Sequence, residues 1–293
     1  CCNFMGFVSA INEIRKRIEP DAIFAEPVGS CADLAATVAR PLERQFAGVI
    51  RVAPITVVVD AQRFERILCK SPTALQSGAA YIFSKQIEEG DILAVNKTDL
   101  IEPDFLNELS GHLQKLNSTA TIVPMSVKNG KNVDAWWDLV NKVSGLEPRV
   151  LDIDYELYGT GEQELGWLNA VIDWEGSADW NAFARDVLRN LQQAFQREGM
   201  GVGHAKFLLE SPRDYIVGNL TDTTGRFEIR GIIGPCDKVK MTLNVRVAAA
   251  PAHVESLVRG TLAGFVNQKV TMKEQTWQCI QPSAPKPTYR ANA

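Results

Sequence analysis

The sequence predicts an α/β protein: a parallel-sheet domain over residues 1–145, followed by a smaller α+β domain over 165–281. Three observations carry this prediction. In the first half, short apolar runs rich in β-branched residues alternate with helical patterns, as expected of strands buried on both faces by crossover helices. Beyond residue 165 the apolar period changes to two, which marks strands with one wet face. Polar residues also gather at the ends of the first-half runs, where ligands of parallel sheets bind.

In the first half, DAIFAE (21–26), ITVVVDAQ (55–62), DILAVNK (91–97) and TATIVPMS (119–126) are the expected strands. Helical stretches are expected at 8–19, 31–46, 73–89, 103–116 and 132–143. Glu26, Asp60, the Asn96 turn and Ser126 then share one edge of the sheet. Residues 146–164 carry acidic residues, a proline and two glycines and are expected to be a linker whose VLDIDYELY run can dock on a neighbour. In the second half, LGWLNAVIDW, RFEIRGII and KVKMTLNVRV alternate, with Leu168, Ala170, Ile172 and Trp174, then Phe227, Ile229 and Ile233, then Val239, Met241, Leu243, Val245 and Val247 facing inward. Helical spacing links Trp180, Phe183, Val187, Leu191 and Phe195, with Gly199 as the expected C-terminal cap. A second helix is expected at 252–267 and a last strand near 270–280. The proline-rich residues 282–293 read as a flexible tail.

The 293 residues are 45% hydrophobic and 23% charged, with a net charge of −4. That suits one large or two medium domains and gives no global basic field for nucleic acid. No apolar run reaches the ~20 residues that span a bilayer. The six cysteines, at 1, 2, 31, 69, 236 and 279, do not form the framework of a small secreted domain. The expected compartment is the cytoplasm, without membrane contact.

Asn96-Lys97-Thr98-Asp99 closes an apolar run and precedes a helical one. An Asn-Lys-x-Asp turn in that setting can read guanine. The base offers a ring N–H beside an exocyclic amine, and an ionised Asp99 accepts both. Adenine has no such donor pair and would leave the carboxylate short of partners. Asn96 would tie the loop together, and the Lys97 stem would lie along the ring. The plainer alternative is a strand-to-helix turn with Asp99 as helix cap. Downstream, Ser126-Val127-Lys128 follows the next strand and could support the base from its far side through backbone N–H groups. No Gly-x-x-x-x-Gly-Lys-Ser/Thr phosphate cradle occurs in the 293 residues, and GMGVGH (199–204) reads as a turn.

In order, Cys1-Cys2, Glu26-Pro27-Val28-Gly29, VVVDAQ, VNKTDL and PMSVKNG resemble the CobW/HypB/UreG-type P-loop GTPases, and most closely the CobW-like metal chaperones. Cys1-Cys2 is similar to the end of that family's Cys-x-Cys-Cys motif, Glu26 to Gly29 to its Glu-x-x-Gly, and the second half to the CobW C-terminal domain. Val127 departs from the usual alanine, a mild change where the backbone makes the contact. The resemblance implies a GTP-hydrolysing metallochaperone. Glu26 and Gly29 would act at the γ-phosphate with Mg²⁺, and Cys1 and Cys2 would hold zinc or cobalt. It further implies a client metalloprotein and is compatible with a homodimer. It also implies that the first strand and P-loop precede Cys1, so a chain starting there is expected to bind GTP poorly and to aggregate. Two rivals are a non-hydrolysing pseudo-GTPase scaffold and, on a basic sheet face formed by Arg226, Arg230, Lys238, Lys240 and Arg246, a nucleic-acid-binding module. The rival module lacks the stacking aromatics such sheets use, since Phe227 is expected to face the other way.

Overall fold

The computed structural model describes residues 3–68, 77–142, 150–225 and 227–291. Cys1, Cys2 and Arg226 lie outside them. The chain divides into two compact units: the first runs to Gly161 and takes back residues 284–291, and the second spans Glu162–Ser283.

The first unit is built on three parallel strands, β1 (Thr56–Asp60), β2 (Ile92–Asn96) and β3 (Thr121–Pro124), in the order β1-β2-β3. Asp60 pairs with Asn96 and Val95 with Pro124, so the carboxyl ends of the strands come level. The central β2 is an unbroken apolar run because both its faces are covered; Leu93, Ala94 and Val95 are fully buried. The helices are α1 (Phe4–Ile18), α2 (Arg40–Gln45), α3 (Ala61–Leu68), α4 (Ser77–Glu89), α5 (Pro103–Leu116), α6 (Val133–Lys142) and α7 (Tyr155–Gln163). A π-helical turn, Ala35–Ala39, leads directly into α2. Pro103 opens α5 at a position where its missing N–H costs nothing, and Leu109 and Leu113 carry that helix into the core beside Leu93 and Val95.

DAIFAE is not a strand. Residues 21–28 form neither helix nor strand and are exposed, with Phe24 stacked on Trp137 of α6 at 5.8 Å between ring centroids. Six residues with two large apolar side chains bury too little to hold a strand without ladder partners on its flanks. The 146–164 stretch is also more than a connector. Leu151, Ile153 and Tyr158 are buried with Ala32 and Ile82, and Asp154 caps α7 by accepting from the N–H groups of Glu156 and Leu157. Proline content alone suggests a loose tail at the C-terminus. Instead, Tyr289 sets its ring edge-on to Phe4 at 5.4 Å, and Ala291 N–H donates to Ala36 O at 2.8 Å.

The second unit is a six-stranded antiparallel sheet covered on one face by two helices. Its strands are β4 (Gly166–Gly176), β5 (Val202–Glu210), β6 (Tyr215–Leu220), β7 (Glu228–Ile232), β8 (Lys238–Val247) and β9 (Val270–Ile280), in the order β7-β6-β5-β8-β4-β9. The helices are α8 (Trp180–Arg197) and α9 (Pro251–Ala263). Alternate strand residues, among them Leu168, Ile172, Leu243 and Val245, meet Phe183, Leu188, Val254 and Val258 in one core. Asp179 caps α8 through the N–H groups of Asn181 and Ala182. Gly199, at φ +64°, ends that helix in a Schellman turn with Met200 N–H on Phe195 O at 2.9 Å. The β5–β6 hairpin escapes a reading of apolar periodicity because one inward position of β6 is Gly218. A Cβ there would lie 2.6 Å from the Phe207 ring, so the glycine makes room for that ring.

Glu89, the last residue of α4, sits almost wholly inside the first unit and accepts from Ala35 N–H at 2.8 Å. Burial outweighs this and neighbouring backbone donors and pushes its carboxyl up to about 7 from an ordinary 4.5. The folded state therefore holds the proton more tightly than the unfolded chain. The contribution of Glu89 to stability is fully present below pH 4.5, is lost as the pH rises to about 7, and changes no further above. Glu89→Gln keeps an acceptor and removes the ionisation. Urea titrations at pH 5 and pH 8 should show the wild type losing on the order of 2–3 kcal/mol more than the variant between those values; equal losses would place the titration elsewhere.

Candidate functional site

The site forms where β2 and β3 end side by side. β2 stops at Asn96, and Lys97 turns the chain through the left-handed region at φ +65° into a short 3₁₀ turn, Thr98–Leu100. Met125 N–H donates to Val95 O at 2.7 Å, extending the β2–β3 pairing past the last ladder residue. Thr98 then returns both its N–H and its hydroxyl to Met125 O, at 3.2 and 3.0 Å. After Met125 the chain folds back tightly. Ser126 and Lys131 exchange both backbone hydrogen bonds, Gly130 takes φ +71°, and Asn132 Nδ2 donates to Pro124 O at 2.7 Å.

Two side-chain bonds stitch these turns together. Asn96 Oδ1 accepts from Val127 N–H at 3.0 Å, and the buried Ser126 hydroxyl donates to Asp99 Oδ1 at 2.7 Å. Asp99 itself faces water. Ser126 holds its carboxyl below the usual carboxylate range, with the charges of Lys128 and Lys97 adding to the effect. Lys97 also reaches back to β1, where Nζ lies 2.9 Å from Asp60 Oδ2. Asp60 uses its other oxygen to accept from Arg63 N–H at the start of α3. The result is an exposed, fully ionised carboxylate fixed by a buried hydroxyl, flanked by two lysines and the Val127–Asn129 turn. Such a surface can take the edge of a flat ligand that presents two neighbouring N–H donors.

Asn96, Lys97, Asp99, Ser126, Val127 and Lys128 thus share one end of the sheet. Gly29 is fastened elsewhere, and Glu26 lies on the exposed stretch before it. Gln86 of α4 donates through Nε2 to both Gly29 O and Cys31 O at 2.9 Å, and Cys31 N–H closes a turn on Val28 O at 2.8 Å. Among the described residues no hydrogen bond or ion pair joins that loop to the Asn96–Asp99 turn. The clamp by Gln86 left no trace in the sequence pattern, since a glutamine in a helix points to nothing by itself. The Lys97–Asp60 pair was foreshadowed only by Asp60 closing a β-branched run. Cys1 and Cys2 lie outside the described residues. Among those described, no three His, Cys, Asp or Glu side chains gather as a metal site, and no helix is long and apolar enough to cross a membrane.

Two basic residues on the open sheet face of the second unit are paired with carboxylates of the same unit. Lys238 lies 2.8 Å from Glu175 and 3.5 Å from Asp173, and Arg230 pairs with Glu228 at 3.1 Å. Arg246 donates to Leu168 O and Asn169 Oδ1, with its guanidinium 4.4 Å from the Trp167 ring centre.

Among solved structures the chain matches the Zn(II)-bound YjiA GTPase from E. coli at 13% identity, covering 78% of this chain and 67% of that one with a TM-score of 0.25. It also matches a Zn(II)-bound triple mutant of YjiA GTPase at 16% identity, with the same coverage and a TM-score of 0.27. Scores this low carry no structural argument. No curated protein matches. The family described as CobW/HypB/UreG, nucleotide-binding domain, matches residues 1–124, a span that holds β1, β2, β3 and the Asn96–Asp99 turn.

Proposed function

We propose that the first unit supplies the guanine-reading part of a GTP-hydrolysing protein that serves metal delivery. The observation that supports this reading most directly is the Asp99 carboxylate, ionised, exposed and aligned by Ser126. In this reading Asp99 accepts the ring N–H and exocyclic amine of guanine. Asn96 keeps the two turns in register through Val127, and the Lys97 and Lys128 stems flank the base. Glu26, on an exposed loop, orients the attacking water and a Mg²⁺ ligand at the phosphate end, with Gly29 N–H meeting the γ-phosphate. Cys1 and Cys2 supply two thiolates to a zinc or cobalt cargo. A client metalloprotein in the cytoplasm receives the metal.

Asp99→Asn separates base reading from general binding. It replaces an acceptor pair facing two donors with one amide, losing at least one charge-assisted hydrogen bond. Affinity for GDP, measured by displacement of a fluorescent guanine nucleotide, should fall roughly 100-fold. Xanthine nucleotides, which carry a carbonyl where guanine has its amine, should gain from the new amide donor. Ser126→Ala frees the carboxylate without removing it and should cost about tenfold. Unchanged preference for guanine over xanthine in Asp99→Asn would overturn the reading.

The metal assignment has its own test. Replacing Cys1 and Cys2 together by serine should weaken zinc binding, measured by chelator competition, by at least about tenfold. If phosphate state controls release, zinc affinity must differ between GDP and a non-hydrolysable GTP analogue, by about 5- to 100-fold for ordinary coupling. Identical affinities would remove the coupling.

A further inference from the structure

The segment that follows Gly29 is held in a conformation it would not keep alone. Asp33 has φ +63°, in the left-handed region where a side chain is disfavoured. Its carboxylate is buried. Oδ2 takes a 2.8 Å ion pair from Arg290 Nε and a 2.5 Å hydrogen bond from the Tyr155 hydroxyl, while Oδ1 is buried without a hydrogen-bond partner. Such a group stays in place only while its surroundings determine it. Two residues on, the helix is π-wound, with Arg40 N–H on Ala35 O. In that register the partner of Ala36 O is Pro41, which has no N–H to give. The vacancy is filled from the C-terminal strap by Ala291 N–H at 2.8 Å. Arg290 Nη2 adds a bond to Leu151 O at 2.6 Å. Gln86 and Glu89 grip the opposite side, at Gly29, Cys31 and Ala35.

The geometry points to residues 289–291 as a latch on the 29–36 segment, with Arg290 as the positioning residue. While it is closed, Asp33 is kept left-handed and Ala36 O is satisfied. When it opens, a buried carboxylate loses its cation and the backbone relaxes out of the left-handed region, carrying the attached Glu26–Gly29 loop with it. The latch is a property of these contacts alone. Its consequence, that phosphate contacts at Glu26 and Gly29 and closure of the strap bias each other, rests on the functional reading above.

Hydrogen–deuterium exchange on the whole protein separates the two. Arg290→Ala should speed exchange at amides 31–37 at least about tenfold, with the β2 amides Ile92–Asn96 changed less than about twofold. Asp33→Gly removes the buried charge and accepts φ +63° without strain. In that background Arg290→Ala should add no more than about threefold, because what Arg290 restrains is already gone. The double variant also keeps the experiment readable if Arg290→Ala alone folds badly, since it should then fold where the single variant does not. Unchanged exchange at 31–37 in Arg290→Ala, an equal rise across the sheet, or an undiminished increment beside Asp33→Gly would each overturn the latch. A difference between GDP and a GTP analogue in protection of 289–291 supports the coupling. No difference there, with the Arg290 effects intact, overturns the Glu26 reading and leaves the latch standing.

Discussion

The hydrogen bond from Ser126 to Asp99 concentrates what the first unit is built to do. It joins the turn after β2 to the turn after β3, and it can form only because the strands end level. That level ending comes from the parallel register, in which Asp60, Asn96 and Pro124 close neighbouring strands. In that register Leu93, Ala94 and Val95 of β2 are paired on both sides and fully buried. Hydrophobic burial in the middle of the sheet thus positions a charge at its edge. The hydroxyl sits in the protein while the carboxylate remains in water, so the charged form is favoured and keeps an outward face for a ligand.

Much of this was legible in the residues, for identifiable physical reasons. VVVD and ILAVN are unmistakable because a strand covered on both sides must be apolar throughout. In the second unit, β4 and β8 declare themselves through strict alternation. The reading fails where burial and sequence signal part company. Gly218 occupies an inward position without an apolar side chain, because the Phe207 ring fills the space, and so the β5–β6 hairpin is hidden. DAIFAE has the composition of a strand, but composition says nothing about whether ladder partners are present. Residues 284–291 look loose because proline lacks a donor. Their attachment includes an arginine, a tyrosine ring and the Ala291 backbone N–H, none of which makes a periodic pattern.

The candidate site divides along the same line. Asn96, Asp99 and Ser126 are visible in sequence because polar residues at fixed spacing close two neighbouring apolar runs, and the fold bonds the two turns together. The residue that holds Gly29 in place is invisible, because holding a loop demands only that some donor reach some carbonyl. Gln86 meets that need from α4, and many other arrangements would have served. The basic residues of the second unit show the converse. Read from sequence, Arg230, Lys238 and Arg246 form a charged strip. In the fold Arg230 and Lys238 pair with Glu228 and Glu175, while Arg246 lies over a tryptophan ring, so part of that strip is already paired.

The two ends of the first unit are stabilised in opposite ways, and that contrast bears on mechanism. At the base end every turn is closed by short backbone bonds, the left-handed residue Lys97 has its ammonium anchored on Asp60, and nothing buried is left without a partner in the Asn96–Asp99–Ser126 set. A rigid reader of this kind discriminates because it cannot adapt to the wrong base. At the other end, Asp33 is left-handed with one carboxylate oxygen unsatisfied, Glu89 is buried with a raised affinity for its proton, and Pro41 removes a donor from the helix. Each of these raises the energy of the present conformation relative to its alternatives, so a small change in contacts there can shift the balance. Under the proposed function this division is useful, with stiffness where a base would be read and strain where a phosphate would be sensed.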